Sequence, residues 1–213
     1  MNKLKLSMLR PLASTMLCVA VAASLQGCVG LVLGGAVAGA AATFDRRTIG
    51  AQTEDKSIAV KAELRVPKVA GPDAHVNMAS FNRVVLLTGE VKDEAAKAAV
   101  EKEVRAIDGV ANVLNELTVG PPASYTSRSN DALITTKVKA GLTNMQTISA
   151  TSFKVVTERG VVYMMGRVTQ REGQVGADVA RGVGGVSQVV KMFEYISEDE
   201  MRALSPIKPS TQL

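Results

Sequence analysis

The 213-residue sequence contains no tryptophan, three tyrosines and four phenylalanines, so aromatic residues make up only 3% of it. Modules that stack nucleic-acid bases on aromatic rings need more such residues, and aromatic sugar-binding clefts need them too. One histidine and two cysteines also leave little material for the common metal sites and catalytic centres. Composition therefore argues against these classes, whereas 46% hydrophobic and 21% charged residues are typical of a globular protein.

The N-terminus has the pattern of an export signal. Three basic residues precede an uncharged run from Pro11 to Phe44. The first part of this run, Leu12 to Ser24, has the length and apolar character of a secretory h-region. We therefore expect the chain to leave the cytoplasm.

The h-region is followed by Leu25-Gln26-Gly27-Cys28, which resembles the bacterial lipobox. The resemblance implies cleavage before Cys28 and attachment of diacylglycerol and a fatty acid such as palmitate to that cysteine, with no other cofactor. Val29 stands where an aspartate usually signals inner-membrane retention, which implies the outer membrane. The alternative is an uncleaved membrane anchor from Pro11 to Thr43, which is long enough to span a bilayer. The density of glycine and alanine in that stretch and the lipobox itself favour cleavage.

Removal of the signal also changes the charge argument. The full sequence has a net charge of +5, which raises the question of nucleic-acid binding. Without Lys3, Lys5 and Arg10, 22 basic residues face 20 acidic ones, so the mature net charge is only +2. Cys18 leaves with the signal and Cys28 is consumed by lipid, so we expect neither a disulfide nor a nucleic-acid partner.

The rest of the chain contains an internal repeat. Three blocks recur in the same order at offsets of 76 or 77 residues: Asp55–Lys61 matches Asp131–Lys137, Val84–Val91 matches Val161–Val168, and Asp108–Val113 matches Gly184–Val189. A Gly-Pro-Pro breaker at 120–122 separates the two copies. This pattern predicts a duplicated domain.

Each copy is predicted to run helix, hairpin, helix, strand. In the first copy, the stripe Ile58, Ala62 and Val66 predicts a helix that Pro67 ends. A turn at Phe81-Asn82 is expected between two strands, Asp93 is expected to cap the second helix, and residues 113–119 alternate as the last strand.

The second copy repeats this order. Asn130 or Asp131 is the expected helix cap, and Ile134, Val138 and Leu142 form the core stripe. Its second helix contains Gly173 and Gly176, which cost about 1 kcal/mol each relative to alanine, so packing must hold it.

Both copies resemble the BON domain. The resemblance rests on an apolar strand that runs into Gly-x-Val and on a Gly-Val-x-x-Val entry to the last strand: Gly89-Glu90-Val91, Gly166-Arg167-Val168, Gly109 to Val113 and Gly185 to Val189. With the lipobox, the whole chain resembles the two-BON envelope lipoproteins of Gram-negative bacteria, the division and outer-membrane stress-associated lipid-binding group, to which soluble periplasmic osmotic-stress proteins are related.

This resemblance implies an α+β fold of two tandem αββαβ domains, each a three-stranded mixed sheet with two helices on one face. It also implies phospholipid binding and support of envelope integrity without catalysis, with the domains facing the periplasm. The predicted organisation is signal peptide 1–27, lipidated N-terminus and Gly/Ala-rich tether 28–45, first domain 46–120, linker 121–127, second domain 128–197 and flexible tail 198–213.

A lipid-binding face is predicted on the first helix of the second domain. Beside its core stripe lie Leu133, Lys137, Ala140 and Asn144, flanked by Thr136 and Lys139. Such a face can press leucine into the acyl boundary while its lysines meet anionic headgroups, such as those of phosphatidylglycerol. In the family this helix is implicated in lipid contact and often begins with an aromatic residue, where this chain has Leu133. The alternative is that Leu133 packs on the first domain and the lysines are merely solvated.

Other functions have weaker support. His75 has neither a second histidine nor a free cysteine as partner, so we expect a surface residue at the start of a strand and no metal site. No nucleophile–base pair exists for a periplasmic hydrolase, so no catalytic residues are expected. The main alternative to lipid binding is a protein-interaction scaffold that binds another envelope protein or peptidoglycan.

Overall fold

A computed structural model describes residues 45–204 of the chain. The signal peptide, Cys28 and most of the predicted tether therefore lie outside the described residues. Within the described range, five α-helices and seven strands occur: α1 Ile49–Ala70, β1 His75–Phe81, β2 Val84–Val91, α2 Glu94–Arg105, β3 Asn112–Asn115, β4 Thr118–Val119, α3 Tyr125–Asn144, β5 Phe153–Glu158, β6 Val161–Val168, α4 Gln170–Arg181, β7 Gln188–Tyr195 and α5 Glu198–Leu204. The fold is α+β, as predicted.

The sheet of the first domain is mixed. Strands β1 and β2 pair antiparallel, while β3 and β4 both pair parallel to β2. The predicted single last strand is thus interrupted at residues 116–117. The hairpin turn is at Asn82 and Arg83, which have φ of 49° and 68°, and not at Phe81-Asn82. Two positive φ values in a two-residue turn match the right-handed twist of the flanking strands, which leaves Phe81 free to remain in β1.

Helices α1 and α2 cover one face of this sheet. The predicted stripe Ile58, Ala62 and Val66 is buried there with Val85 and Leu87 of β2. The prediction that Pro67 ends α1 is wrong, because the helix continues to Ala70. Pro67 lies on the exposed side, where the carbonyl that loses its hydrogen bond can face water. The helix ends instead at Gly71, whose φ is 94°.

The second domain repeats this arrangement, with strand order β5-β6-β7 and β7 parallel to β6. Helix α4 packs closely because Gly173 and Gly176 carry no side chain. A Cβ at Gly176 would lie 2.8 Å from Cε1 of Phe153, and one at Gly173 would lie 3.0 Å from Cδ2 of Phe193. The glycines that weaken α4 in isolation therefore allow aromatic rings to fill the space beneath it.

A buried aspartate in each domain explains the first block of the sequence repeat. Asp55 of α1 accepts hydrogen bonds from the backbone N–H groups of Asn82 and Arg83. Asp131 of α3 accepts them from Arg159 and Gly160. Hydrogen bonds from these turn amides and from Ser80 bring the pKa of Asp55 below its ordinary value, although burial acts in the opposite direction. Each aspartate thus ties its helix to the hairpin turn of the same domain.

The two domains have separate sheets and separate cores, and they also contact each other. Each sheet keeps its own strands, but the faces without helices pack on each other. A shared cluster contains Ala79, Phe81 and Leu86 of the first domain and Tyr163 and Met165 of the second. The two αββαβ units therefore form one body with three apolar layers.

An arginine clamp adds to this contact. Arg46, just before α1, donates hydrogen bonds to both carboxylate oxygens of Glu172 in α4, at 2.6 and 2.8 Å. Its Nη1 also donates to the carbonyl of Arg167, at 3.1 Å. The first residue of the predicted first domain is therefore held on the second domain.

Part of the predicted tail is ordered. Residues Glu198–Leu204 form α5, and Glu200 of this helix accepts a hydrogen bond from Arg167 at 2.5 Å. Acidic residues in the first turn favour this helix because they face the positive end of its dipole. The remainder of the tail, residues 205–213, lies outside the described residues.

Candidate functional site

Helix α3 is positioned by its buried stripe. Ile134, Val138 and Leu142 pack into the core of the second domain, as predicted. The helix begins at Tyr125 and not at Asn130 or Asp131, because Ser124 provides the cap: its Oγ accepts a hydrogen bond from the N–H of Ser127 at 3.1 Å. Residues 125–127 of the predicted linker are consequently helical. With one side of a 20-residue helix buried, the opposite side faces solvent.

The predicted lipid-binding residues all lie on this outward side. Every one of them is exposed: Leu133, Thr136, Lys137, Lys139, Ala140 and Asn144. Leu133 is 58% exposed, so it is not buried against the first domain and does not stabilise the interdomain contact. The structure brings this set together on one surface, while its lipid contact stays a prediction.

An exposed aromatic residue at the start of α3 was missed because the helix start was predicted too late. Tyr125 is 84% exposed, and the guanidinium of Arg128 lies 4.4 Å from its ring centroid. Ser124 followed by a helical run was the signal that could have revealed it. Tyr125 lies eight residues before Leu133 on the same helix.

The exposed charge of α3 is entirely positive. The helix contains Arg128, Lys137 and Lys139, and its one acidic residue, Asp131, is buried and bonded to the β5–β6 turn. At 100° per residue, Lys137 and Lys139 flank Thr136 and Ala140 on opposite sides. Lysines on both flanks of a weakly polar strip can extend to headgroups while the strip contacts the membrane.

A further lysine lies on the strand beneath α3, on the side that faces the first domain. Lys154 of β5 donates a hydrogen bond to the carbonyl of Ser80 at 2.9 Å. Burial lowers its pKa and the charge of Arg47 lowers it further, whereas the charge of Asp55 acts in the opposite direction.

His75 occupies a different environment from the one predicted. It does begin β1, but its side chain is only 20% exposed, and Nδ1 lies 3.4 Å from Oε2 of the fully buried Glu90. Glu158 of the second domain lies beside this pair. Sequence spacing offered no signal for this cluster, because the two glutamates meet only when the helix-free faces pack together.

Comparison with known proteins decides the family. The BON domain model matches residues 54–121 and residues 130–197, which together make up more than half of the chain. The chain belongs to the BON family. Each matched segment contains most of the first helix of its domain and the whole hairpin, second helix and last strand.

The relatives found include an outer membrane lipoprotein. Outer membrane lipoprotein DolP of Haemophilus influenzae is 36% identical over 190 residues, which cover 88% of this chain and 98% of the relative. The 21 kDa hemolysin of Actinobacillus pleuropneumoniae is 30% identical over 71% of this chain and 79% of its own length. Osmotically-inducible protein Y of Escherichia coli is 27% identical over 54% and 58%, respectively.

Membership and similarity together make this BON protein an envelope-associated lipoprotein of the outer membrane. They confirm the predicted family and the predicted outer-membrane location, while lipidation of Cys28 stays a prediction. Within residues 45–204, no helix is long and apolar enough to cross a membrane.

Proposed function

We propose that this BON protein binds anionic phospholipid membranes through the outward face of α3 and so supports the integrity of the envelope. The role is one of binding: it requires no catalytic residue and no cofactor beyond the lipid on Cys28. The observation that carries the proposal is that α3 exposes an aromatic ring, a leucine and two lysines, with a half-buried arginine beside the ring and no exposed acidic side chain.

The energetics of such a contact are sufficient for reversible binding. A lysine near an anionic surface contributes about 1 kcal/mol, and complete burial of a leucine contributes about 1.5–3 kcal/mol. These contributions are modest, so the covalent anchor and α3 would act as two linked membrane contacts. The clamp at Arg46, the residue that follows the predicted tether, binds the domain that carries α3.

The test uses the mature chain with Cys28→Ser, so that the covalent lipid cannot cause binding. Leu133→Glu with Lys137→Glu removes an apolar contact and reverses one charge. It should weaken sedimentation with phosphatidylglycerol vesicles by more than about 100-fold, equivalent to about 3 kcal/mol. The thermal midpoint should stay within a few degrees, because neither side chain belongs to the core stripe.

Helix α1 offers a matched control. Leu64 and Lys68 are also four residues apart and exposed, so Leu64→Glu with Lys68→Glu makes the same chemical change in the first domain. This variant should retain most of the binding. Equal loss in both double variants would mean that only net charge matters, and unchanged binding in the α3 variant would place the contact elsewhere.

Salt separates the lipid proposal from its main alternative. At 1 M salt the Debye length is about 3 Å, so wild-type binding should weaken but keep an apolar remainder from Tyr125 and Leu133. A folded chain that fails to sediment with the vesicles at any salt concentration would favour the protein-interaction scaffold.

A further inference from the structure

The interdomain contact contains a group of metal-ligating side chains that lipid binding does not use. The possible ligand atoms of His75, Glu90 and Glu158 all lie within 4.8 Å of one another. His75 and Glu90 belong to the first domain, and Glu158 belongs to the second. Both glutamates are buried, so the group is not an ordinary solvated acidic patch.

Backbone geometry holds the first two residues together. His75 and Glu90 are directly opposite each other in the β1–β2 ladder. The neighbouring Gly89 has a φ of 109°, and a Cβ there would lie 2.0 Å from the carbonyl oxygen of His75. Only glycine allows this close approach, which sets the imidazole against the carboxylate.

Hydrogen bonds from neighbouring groups orient the two carboxylates but leave some polar atoms of the group without a hydrogen-bond partner. Oε2 of Glu90 accepts a hydrogen bond from the N–H of Ala123 at 3.0 Å, and Oε2 of Glu158 accepts one from Asn77 at 2.8 Å. Nδ1 of His75 and Oε1 of Glu90 are buried and have no hydrogen-bond partner. Unsatisfied buried groups of this kind are costly unless a further partner arrives.

Two carboxylates and one adjacent arginine leave the group with a net negative charge. Arg159 Nε lies 3.3 Å from Oε1 of Glu90 without forming a hydrogen bond, and this side chain is 45% exposed. Arg159 offsets one of the two carboxylate charges, and its exposure allows it to move away. Arg128, which lines the adjoining cavity, has its guanidinium over the ring of Tyr125.

We infer that His75, Glu90 and Glu158 form a binding site for a divalent transition-metal ion of the Zn²⁺ type that links the two domains. One imidazole and two carboxylates are a donor set that Zn²⁺ accepts in tetrahedral geometry with a water as fourth ligand. A cavity of about 380 Å³, lined by His75 and Glu158, gives access for the ion and that water. Tetrahedral ligands at about 2.1 Å from zinc are about 3.4 Å apart, so closure needs side-chain movements of about 1 Å.

The chain is well suited to a direct test. His75 is the only histidine, and the mature Cys28→Ser chain contains no cysteine. Imidazole proton NMR of the untagged, chelator-treated protein therefore reports on this site alone. Zinc chloride should shift the His75 resonances saturably at one equivalent and raise the thermal midpoint, whereas Mg²⁺, which prefers oxygen ligands, should do neither.

Variants distinguish zinc binding by these specific ligands from weak binding to surface carboxylates. Glu158→Gln should weaken zinc affinity at least about tenfold, and Glu103→Gln, on α2 and outside the site, should leave it unchanged. Arg159→Ala should tighten zinc binding, because it removes the cation nearest to Glu90. Glu90→Gln changes a completely buried side chain and is more prone to unfold the protein. If the Glu90→Gln variant does unfold, the result for Glu158→Gln decides the test.

The inference is overturned if zinc leaves the His75 resonances unchanged at millimolar concentration, or if Glu158→Gln binds zinc as tightly as the wild type. A third contradictory result is that Arg159→Ala lowers the thermal midpoint and shows no response to zinc. The cluster would then be only a polar contact that joins the domains.

Discussion

Replacement of Arg46 should be among the most destabilising single changes in the contact between the two domains. The side chains of Arg46 and Glu172 are only 6% and 3% exposed, and their two hydrogen bonds are 2.6 and 2.8 Å long. Arg46→Ala leaves Glu172 buried without its countercharge, which typically costs about 3–5 kcal/mol. For a domain of this size, 1 kcal/mol shifts the thermal midpoint by about 2–4 °C, so we expect a fall of roughly 6–20 °C.

The double variant Arg46→Met with Glu172→Gln should recover much of this loss. Glutamine can keep the capping role of Glu172, which accepts the N–H of Thr169 at 3.0 Å. Urea unfolding of the two single variants and the double variant gives a coupling energy, for which we expect about 2–3 kcal/mol. A loss below about 1 kcal/mol for Arg46→Ala, or no coupling between the two positions, would refute the clamp.

The same pair predicts a response to acid. Burial raises the pKa of Glu172, but hydrogen bonds from Arg46 and Thr169 and the charge of Arg46 bring it below the ordinary value of 4.5. A carboxyl group with a lowered folded-state pKa contributes full stability above its unfolded pKa and loses it as the pH falls through the folded one. The wild type should therefore lose more stability than the double variant between about pH 5 and pH 3, and equal slopes would contradict this assignment.

Two other predictions concern the anchor and α4. Cys28→Ser should abolish labelling by radioactive palmitate and release the chain from the outer-membrane fraction, and persistent label in this variant would contradict lipidation at Cys28. Gly176→Ala should lower unfolding free energy by about 1–3 kcal/mol, because a Cβ there would lie 2.8 Å from Phe153. Gly184→Ala, where no atom lies within 4 Å, is the calorimetric control and should cost clearly less.

The domain repeat was predictable because the same residue patterns recur in the same order in both halves of the sequence. Asp55 and Asp131 recur in the sequence because each binds the two turn amides of its own hairpin. The core stripes of α1 and α3 follow from helical periodicity alone. Pro67 misled the prediction because a proline near the solvent-exposed end of a helix loses only one hydrogen bond.

The packing of the domains on each other was less accessible to sequence reasoning. Alternation within a strand identifies one buried face and says nothing about what covers the other. A signal did exist: the apolar runs Val84–Leu87 and Val161–Met165 are continuous, which is typical of strands buried on both faces. The pairing of Glu90 with Glu158 and Arg159 depends on the relative placement of the domains, so no local pattern could have predicted it.

The position of the α3 face relative to the bilayer is the most direct test of the proposed function. A nitroxide is attached at Ala140→Cys on α3 or at Ala98→Cys on the exposed side of α2, each in the mature Cys28→Ser chain. When phosphatidylglycerol vesicles are added, collisions of the label with a water-soluble nickel complex should fall at position 140, and collisions with oxygen should rise. Position 98 should remain as accessible to nickel as it is in solution. Unchanged nickel accessibility at position 140 on vesicles that demonstrably bind the protein would contradict the account.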